Sequence, residues 1–467
     1  MNKMQTYPLP DSASAALKWS MALPPTLLIL SLVSVRLSAI NLTTYIMNEL
    51  GTPQFFAIAI LLLNLSMTIS SPVGGKLSDL FGRKRLVLWG LVPFILSVLV
   101  CGLTSNIYIF LAAFFTLGFS YGLCSTMHNG MVADVFGGTD RVRFIAYLTS
   151  AQSLAQMLAP VIAGMLADLF TPKMALMGIG SLAIAAWLLV CFCYPDIRYR
   201  DKKAQIDFAG IGALVLTVAP FTLALTLGGK QLPWTSPVTV GMLLVSVAGL
   251  ALFISVENRA AEPVIDFGLF RIRSFLPMAM FTAFCLPAQL LALSYTVMYG
   301  NQVLGFSAAQ TGAFGILQIL AIIMAPMVGN WLSRTRDYRK SFGIAGILLL
   351  LFGLGMLFVM SPSVSYITIL IFMLIQSLAM NFDLTPNTAM MSLILPAEKR
   401  GVGMAFMGFS FYIMNTLASA VFGLILNNVP GGIEHSFRYM AMAVTGLCVI
   451  RLVVLKFYIH NPEMPGE

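Results

Sequence analysis

Three charged side chains lie deep within long apolar runs of this sequence, where a membrane helix would ordinarily carry leucine or valine. Arg36 lies in VSVRLSAIN (33–41), Asp383 in QSLAMNFDLTPN (376–387) and Arg451 in the last apolar run. A charged side chain at the centre of a membrane helix costs on the order of 3 kcal/mol on insertion scales. We expect the long Arg451 side chain to reach the cytoplasmic interface. Arg36 and Asp383 are therefore the two charges that need an explanation.

Arg36 has three interpretations. In the first, its guanidinium binds an anionic group of a substrate, a carboxylate or a phosphate, through paired hydrogen bonds. In the second, Arg36 and Asp383 form a structural or gating ion pair across a cavity. In the third, Arg36 meets only backbone carbonyl groups or extends to an interface. The first two interpretations are compatible if the substrate displaces the pair.

Two side chains are candidates for carrying a proton. A carboxylate in a partly dry cavity can take up and release protons, which makes Asp383 a candidate proton-coupling residue. His128 is the second candidate, and a hydrogen-bonded structural histidine is the alternative interpretation of that residue. On ideal helices Asp383 and His128 each share a face, about 40° and 60° wide, with other polar residues, and these faces should look into a cavity. The candidate substrate-binding residues are Arg36, Tyr121, Ser125, Gln289, Tyr295, Gln376 and Asn387.

The composition predicts a polytopic membrane protein. Of the 467 residues 58% are hydrophobic and only 10% are charged, whereas soluble domains average about 25% charged residues. Apolar runs of membrane-spanning length recur along the whole chain. We place fourteen of them near residues 23–47, 55–74, 86–104, 107–132, 143–168, 174–195, 208–228, 238–256, 275–300, 310–332, 341–361, 365–395, 402–427 and 437–458.

The basic residues predict the orientation. They cluster in the loops that follow the even-numbered runs, and the opposite loops hold only Lys173, Lys230 and Arg438. Because basic loops stay in the cytoplasm, both termini should be cytoplasmic, in the plasma membrane of the cell. The net charge of +9 then reflects topology and not nucleic-acid binding. We expect residues 1–22 to be a cytoplasmic segment and not a cleavable signal peptide.

Catalytic and metal-binding motifs are missing from the sequence. It contains no P-loop, no H-E-x-x-H and no G-x-S-x-G motif. The six cysteines lie in or at the ends of apolar runs, and Cys191-Phe-Cys193 lacks CxxC spacing, so we interpret them as buried bystanders. We expect a protein that is not an enzyme, has no cofactor and takes its energy from an ion or substrate gradient.

A repeated loop and its motif carry a family resemblance. The segments PVGGKLSDLFGRKR (72–85) and PMVGNWLSRTRDYRK (326–340) are similar and lie about half a chain apart. The stretch GKLSDLFGRKR resembles the G-x-L-x-D-x-x-G-R-K-R signature of major facilitator transporters, which lies between their second and third helices. Such a repeat fits two halves related by an axis along the membrane normal. The conformational-motif residues that we expect are Gly75, Asp79, Gly82, Arg83, Lys84, Pro160 and Gly164.

The number of runs resembles the fourteen-helix drug:proton antiporter branch. The segments ENRAAEPVIDFGLFRIRSF (257–275) and LTPNTAMMSLILPAEKRGVGMA (384–405) are also similar to that branch. The resemblance implies an all-α integral membrane fold with two six-helix halves and two extra central helices. We divide the chain into a cytoplasmic N-terminal segment (1–22), an N-terminal half (23–200), the two extra helices (201–262), a C-terminal half (263–458) and a cytoplasmic tail (459–467). The family's fold is usually complete as a monomer, and its first and fourth helices in each half, here runs one, four, nine and twelve, line the central cavity.

The sequence departs from that branch at its charged positions. The branch usually has an aspartate where this chain has Val35, next to Arg36, and an arginine where it has Phe114. The antiporter signature of the fifth helix keeps small residues but loses most of its glycines; those places hold Ala146, Ala155, Ala159-Pro160, Ala163 and Gly164. We interpret this segment as a structural hinge. The site is therefore not a standard site for cationic drugs.

Three functions follow as hypotheses. The first is export of hydrophobic or amphipathic organic compounds by alternating access, similar to proton-coupled multidrug exporters. The second is proton-linked uptake of an amphipathic organic anion, of the bile-acid type found in the same branch, with Arg36 binding the acid group. The third, from another class, is a lipid-handling or sensory membrane protein without coupled solute transport. The 29 methionines and 33 phenylalanines favour an adaptable apolar pocket over a sugar site.

Overall fold

The computed structural model describes residues 14–125, 127–136, 138–197, 208–229, 232–259, 267–272, 275–318, 324, 327–328, 331–332, 334–335, 337–394 and 400–458. These residues are almost entirely helical, as the composition predicts. The helices are α1 Ala15–Glu49, α2 Phe56–Phe81, α3 Arg83–Leu103, α4 Ile107–Cys124, α5 Met127–Val135, α6 Gly138–Leu169, α7 Pro172–Cys193, α8 Phe208–Leu227, α9 Pro237–Glu257, α10 Phe275–Ala283, α11 Leu286–Leu290, α12 Thr296–Gln302, α13 Ala308–Gly312, α14 Tyr338–Phe358, α15 Tyr366–Ile394, α16 Arg400–Asn428 and α17 Gly432–Tyr458.

Thirteen helical segments in the described part of the chain are long and apolar enough to cross a membrane. They coincide with thirteen of the fourteen predicted runs, which confirms the all-α membrane fold. The remaining run, near 310–332, lies largely outside the described residues; its first part forms α13 and the 3₁₀ turn Ala313–Gln318. The predicted domain boundaries near residues 200 and 262 also fall outside the described ranges.

Two predicted spans are interrupted. The fourth is divided into α4 and α5, with Ser125 at the end of α4. The ninth consists of α10, α11, a π-helical turn at Leu291–Tyr295 and α12. Pro287 lies at the start of α11, where proline is tolerated because its missing N–H would have no intrahelical partner. Single π-turns within membrane helices are frequent at functional sites.

The helices form two bundles and a hairpin. In the N-terminal bundle (α1–α7) α1 packs against α6 and α7, and α2 packs against α4. In the C-terminal bundle (α10–α17) α14 packs against α15 and α17. The hairpin of α8 and α9 packs through α8 against both α2 and α16. Small residues permit the close approaches: a Cβ on Gly118 would lie 2.5 Å from the carbonyl oxygen of Leu63 on α2.

Candidate functional site

Arg36 lies on α1 beside an aromatic ring of α4. Its guanidinium carbon is 5.3 Å from the ring centroid of Tyr121, a cation–π distance. The Arg36 side chain is half-buried, and its Nε is buried without a hydrogen-bond partner among the described residues. Val35, which precedes it, is fully buried. Among the described residues, Arg36 is therefore a cation at a helix–helix contact that meets an aromatic ring and no acidic side chain.

A tyrosine of the opposite bundle completes this group. Tyr412 of α16 places its hydroxyl 3.3 Å from Ser125 Oγ, and both Arg36 and Tyr121 lie within electrostatic range of that hydroxyl. We call Arg36, Tyr121, Ser125 and Tyr412 the Arg36 site. The sequence prediction contains the first three and misses Tyr412. A single tyrosine in an apolar run carried no signal that would distinguish it from the other tyrosines of the chain.

Asp383 does not pair with Arg36 in this structure, because it pairs with Arg451 of the last helix. Both side chains are fully buried, and the guanidinium carbon of Arg451 is 4.2 Å from the ring centroid of Phe281. The expectation that Arg451 extends to the cytoplasmic interface is therefore wrong. The physical reason is that a carboxylate left unpaired inside the bundle is strongly unfavourable, and Arg451 is the cation that reaches it.

The Asp383–Arg451 pair is incompletely satisfied. Asp383 Oδ2 and Arg451 Nε and Nη1 are buried without a hydrogen-bond partner among the described residues. The Cys285 thiol lies beside the carboxylate, and Cys448 lies within electrostatic range of Arg451. These contacts belong to α15, α17 and the break in the ninth span, all within the C-terminal bundle.

The other predicted polar residues lie elsewhere. Gln376 and Asn387 are buried on α15, the helix of Asp383; the Asn387 amide nitrogen lies 3.4 Å from Met407 Sδ. His128 is buried on α5 with Nδ1 unpartnered among the described residues. Gln289 is half-buried on α11. The structure thus places Gln376 and Asn387 on the helix of Asp383 and Gln289 on α11. His128 adjoins the Arg36 site, because its ring is hydrogen-bonded to the backbone of Ser125.

Tyr295 belongs to an aromatic cluster. Its ring makes edge-to-face contacts with Phe56 of α2 and Phe422 of α16, at centroid distances of 5.4 and 5.1 Å. Its hydroxyl is buried without a described partner. Tyr295 therefore packs where α2 and α16 meet, and the structure does not bring it to Arg36.

The two bundles are joined at the outer surface, which we define as the side opposite the basic loops. Tyr45 places its hydroxyl 2.7 Å from Thr311 Oγ1, and Asn48 donates a 2.8 Å hydrogen bond to Asn301. Asp168, at the end of α6, accepts the backbone N–H groups of Ala308 and Ala309 at 3.1 and 3.0 Å. We call these three connections the outer closure.

Pro160 and Gly164 of the predicted motif lie directly beneath the outer closure. A Cβ on Gly164 would lie 2.1 Å from the carbonyl oxygen of Ala308, and a Cβ on Gly312 would lie 2.3 Å from that of Pro160. The backbones of α6 and α13 therefore touch, as small residues permit in membrane helices. Between them and α1 remains a cavity of about 20 Å³, room for roughly one water molecule, lined by residues that include Leu37, Asn41, Gln156, Leu293 and Val297.

Buried polar pairs form a second contact between the bundles, where α2 packs against α16. Asn64 donates a 2.9 Å hydrogen bond to Ser419, and the hydroxyls of Thr68 and Thr416 are 2.8 Å apart. All four side chains are buried. The bundles are thus joined from the outer surface inward to the level of Tyr412.

The predicted conformational motif between α2 and α3 is attached to the N-terminal bundle. Gly82 has a φ of 86°, which glycine adopts without strain. Arg83 pairs with Asp134 at the end of α5 and donates a 2.7 Å hydrogen bond to the Gly130 carbonyl. Lys84 donates a 2.8 Å hydrogen bond to the Cys191 carbonyl. Gly75 and Asp79 lie in a part of α2 of which only the backbone is described.

Comparisons with known proteins agree with this architecture. The model of the Major Facilitator Superfamily matches residues 26–361 and 335–467. The multidrug transporter protein MdtP of Bacillus subtilis (strain 168) is 25% identical over 374 residues, 79% of this chain and 68% of the relative. The multidrug resistance protein Stp of Mycobacterium tuberculosis (strain ATCC 25618 / H37Rv) is 27% identical over 367 residues, 78% and 67% of the two chains.

Solved structures are similar in fold alone. A peptide transporter POT in complex with sulfate superimposes with a TM-score of 0.69 at 14% identity, covering 97% of this chain and 96% of that one. A POT family transporter in complex with 5-aminolevulinic acid gives a TM-score of 0.67 at 15% identity, covering 93% and 96%.

Proposed function

Because the chain belongs to the Major Facilitator Superfamily, we propose that it is a proton-coupled secondary transporter of amphipathic organic compounds that carry an acidic group. It is a multi-pass membrane transporter and not an enzyme, and its curated relatives are multidrug transporters. The acidic group, the proton and the direction of transport are the proposed parts.

One observation carries the proposal: Arg36 has no carboxylate partner among the described residues, because Asp383 is engaged by Arg451. An uncompensated guanidinium between membrane helices is unfavourable. A bound anion would remove that cost and would gain charge-assisted hydrogen bonds at the same time. Of the three interpretations of Arg36, this contact pattern favours the substrate anchor.

The neighbours of Arg36 suit such a ligand. The hydroxyls of Ser125 and Tyr412 can donate to anion oxygens, and the Tyr121 ring can pack against an apolar or aromatic body. Tyr412 comes from the C-terminal bundle and the other three residues from the N-terminal bundle. A substrate held by both would therefore bridge the two bundles, as alternating access requires.

Export is the preferred direction, since the relatives are named for multidrug transport or resistance. Uptake of an amphipathic organic anion is the second candidate, and the unpaired Arg36 favours it equally. The same relatives favour either transport function over a lipid-handling or sensory protein. Transport assays in liposomes of defined orientation separate export from uptake.

The test is binding of three probes with one hydrophobic body. Pyrenebutyrate, pyrenebutanol and (4-pyrenylbutyl)trimethylammonium are fluorescent and differ only in the head group. We expect the purified protein to prefer pyrenebutyrate. Arg36→Ala should weaken that binding by about 10- to 150-fold, the loss of one charge-assisted hydrogen-bonding partner, and should leave pyrenebutanol binding unchanged.

Arg143→Ala is the matched control. Arg143 also lies over a tyrosine ring, 5.8 Å from the Tyr147 centroid, but it is exposed on α6 and away from the Arg36 site. Its replacement should leave the affinity for pyrenebutyrate unchanged. Preference for the ammonium or alcohol probe, with no response to Arg36→Ala, would refute anion recognition and leave Arg36 as a structural charge.

A further inference from the structure

The Asp383–Arg451 pair is a second charged site, separate from the Arg36 site. Asp383 comes from α15, Arg451 from α17, and Phe281 and Cys285 from the ninth span. The carboxylate and the guanidinium are both inaccessible to solvent. No described residue of the N-terminal bundle takes part in these contacts. The site therefore lies inside one bundle, whereas the Arg36 site joins two.

The groups around the carboxylate can be named element by element. Arg451 faces it from α17, and Cys285 faces it from the ninth span. Cys448 of α17 lies within electrostatic range of Arg451 and Cys285. From α14, the Ser341 hydroxyl bonds the Phe382 carbonyl, one residue before Asp383. Arg451 is the only charged partner of Asp383 among the described residues. A change in the charge of one member therefore leaves the other uncompensated.

The pair adjoins the break in the ninth span. Phe281 covers the guanidinium two residues before α10 ends at Ala283, and Cys285 lies in the break itself. Beyond it the π-turn contains Leu293, which lines the small cavity together with Asn41 of α1. The segment from Phe281 to Leu293 thus connects the buried pair with the contact between the bundles.

We propose that Asp383 is the proton-binding site of this transporter and that Arg451 is its displaceable counter-ion. This inference rests on the proposed transport function, because such a site has a use in a gradient-driven carrier. A proton bonds to the unpartnered Oδ2 of Asp383, the carboxylate becomes a neutral acid, and the ion pair with Arg451 ends. The proton comes from a hydronium ion, whose O–H bond breaks to leave water as the new O–H bond forms on Asp383, and the positive charge of the guanidinium stays on Arg451.

The released guanidinium can move toward the cytoplasmic end of α17. Arg451 precedes the end of α17 at Tyr458 by seven residues, about 10 Å along the helix. A long arginine side chain can extend most of that distance toward the cytoplasmic interface. Its departure from Phe281 removes a contact that holds the broken segment. Protonation is thereby coupled to a rearrangement of the ninth span.

A purely structural pair is the weaker explanation. Replacement of a buried ion pair by apolar residues is often neutral or stabilising, so stability alone does not account for two charges inside a membrane bundle. Three unpartnered polar atoms in the pair add to this cost. Ionisable residues within membrane helices are ordinarily parts of ion or proton pathways.

Hydrogen exchange of the ninth span tests the proposal without any substrate. The full-length protein is placed in nanodiscs of phosphatidylethanolamine and phosphatidylglycerol, and peptides covering residues 281–295 are followed at pH 5 and pH 8. At pH 8 we expect Asp383→Asn to exchange about tenfold faster than the wild type or more, since Arg451 loses its partner. At pH 5 the two proteins should converge, and comparison at equal pH cancels the intrinsic exchange rate.

Two further variants sharpen the result. The double variant Asp383→Asn/Arg451→Gln has no charge at this site and should exchange slowly at both pH values. It stays informative if the single variant does not fold. Asp134→Asn removes the carboxylate partner of the partly buried Arg83 in the N-terminal bundle and should leave the exchange of residues 281–295 unchanged.

Three outcomes would overturn the proposal. The first is equal exchange of wild type and Asp383→Asn at pH 8. The second is a ratio of their exchange rates that does not change with pH. The third is a double variant whose residues 281–295 exchange as fast as those of the single variant. None of these results affects pyrenebutyrate binding at Arg36, so failure here and failure of the proposed function are distinguishable.

Discussion

The outer closure gives a prediction whose size follows from the structure. The Asp168 carboxylate accepts two backbone N–H groups of the opposite bundle at 3.1 and 3.0 Å. A hydrogen bond to a charged group contributes about 1.5–3 kcal/mol when buried. Because the Asp168 side chain is exposed, solvent screening reduces this contribution. We take about 1–2 kcal/mol for the two bonds together, or a 5- to 30-fold change in an equilibrium constant.

Asp168→Ala should therefore shift the population toward a form that is open at the outer surface. Spin labels at Ser105→Cys and Ser363→Cys, exposed residues at the outer ends of the two bundles, would report this shift as a second, longer distance in pulsed electron paramagnetic resonance. The native cysteines are replaced beforehand. Asp168→Asn keeps one neutral acceptor oxygen and should produce a smaller shift.

Glu49→Ala is the control for charge alone. Glu49 is also an acidic residue at the outer surface, but it pairs with Lys173 at 3.2 Å within the N-terminal bundle. Its removal should leave the distance distribution unchanged. If Asp168→Ala gives the wild-type distribution, the outer closure does not depend on this carboxylate, and the reasoning from its two hydrogen bonds is refuted.

Two more predictions concern contacts between the bundles. Gly164→Ala should open the outer surface in the same distance measurement, because its Cβ would lie 2.1 Å from the Ala308 carbonyl oxygen and overpacking costs about 1–3 kcal/mol. Gly446→Ala is the control, since nothing lies within 4 Å of a Cβ at that position. Equal distance distributions for the two variants would contradict the close approach of α6 and α13. Asn64→Ala and Ser419→Ala should show a coupling free energy of about 1 kcal/mol in a double-mutant cycle of unfolding, since their side chains share a buried 2.9 Å hydrogen bond; additive effects would mean that the bond contributes nothing.

Hydropathy predicts the helices well but not their interruptions. Apolar length and basic loops locate the spans, because a bilayer requires about 20 apolar residues per helix. The first helix begins at Ala15 and not near residue 23, since Ser14 caps it and Trp19 packs edge-to-face on Phe144 at 5.4 Å. The break after Ala283 leaves the hydropathy unchanged. Pro287 was its only sequence signal.

The partners of charged residues are the part that sequence could not provide. The apolar context shows that Asp383 needs a cationic partner. Arg36 and Arg451 both lie in apolar runs, and the sequence does not show which of the two pairs with Asp383. The choice depends on the rotation of α15 and α17, which residue spacing fixes only within each helix. Tyr412 was missed for the same reason, because its importance comes from proximity to Ser125 across the bundle interface.

The separation of the two charged sites bears on how coupling would work. A proton at Asp383 and an anion at Arg36 do not compete for one position, so any coupling between them has to pass through an element that both sites contact. The ninth span contacts the buried pair directly through Phe281 and Cys285. It reaches the helix of Arg36 through Leu293 and Val297, which line the cavity beside Leu37, the neighbour of Arg36. Spatial connection alone does not establish energetic coupling. A reciprocal effect would establish energetic coupling. If a proton at Asp383 changes the affinity for the anion by some factor, a bound anion must change the affinity for the proton by the same factor. Pyrenebutyrate should then alter hydrogen exchange of residues 281–295 in the wild type but not in the double variant Asp383→Asn/Arg451→Gln.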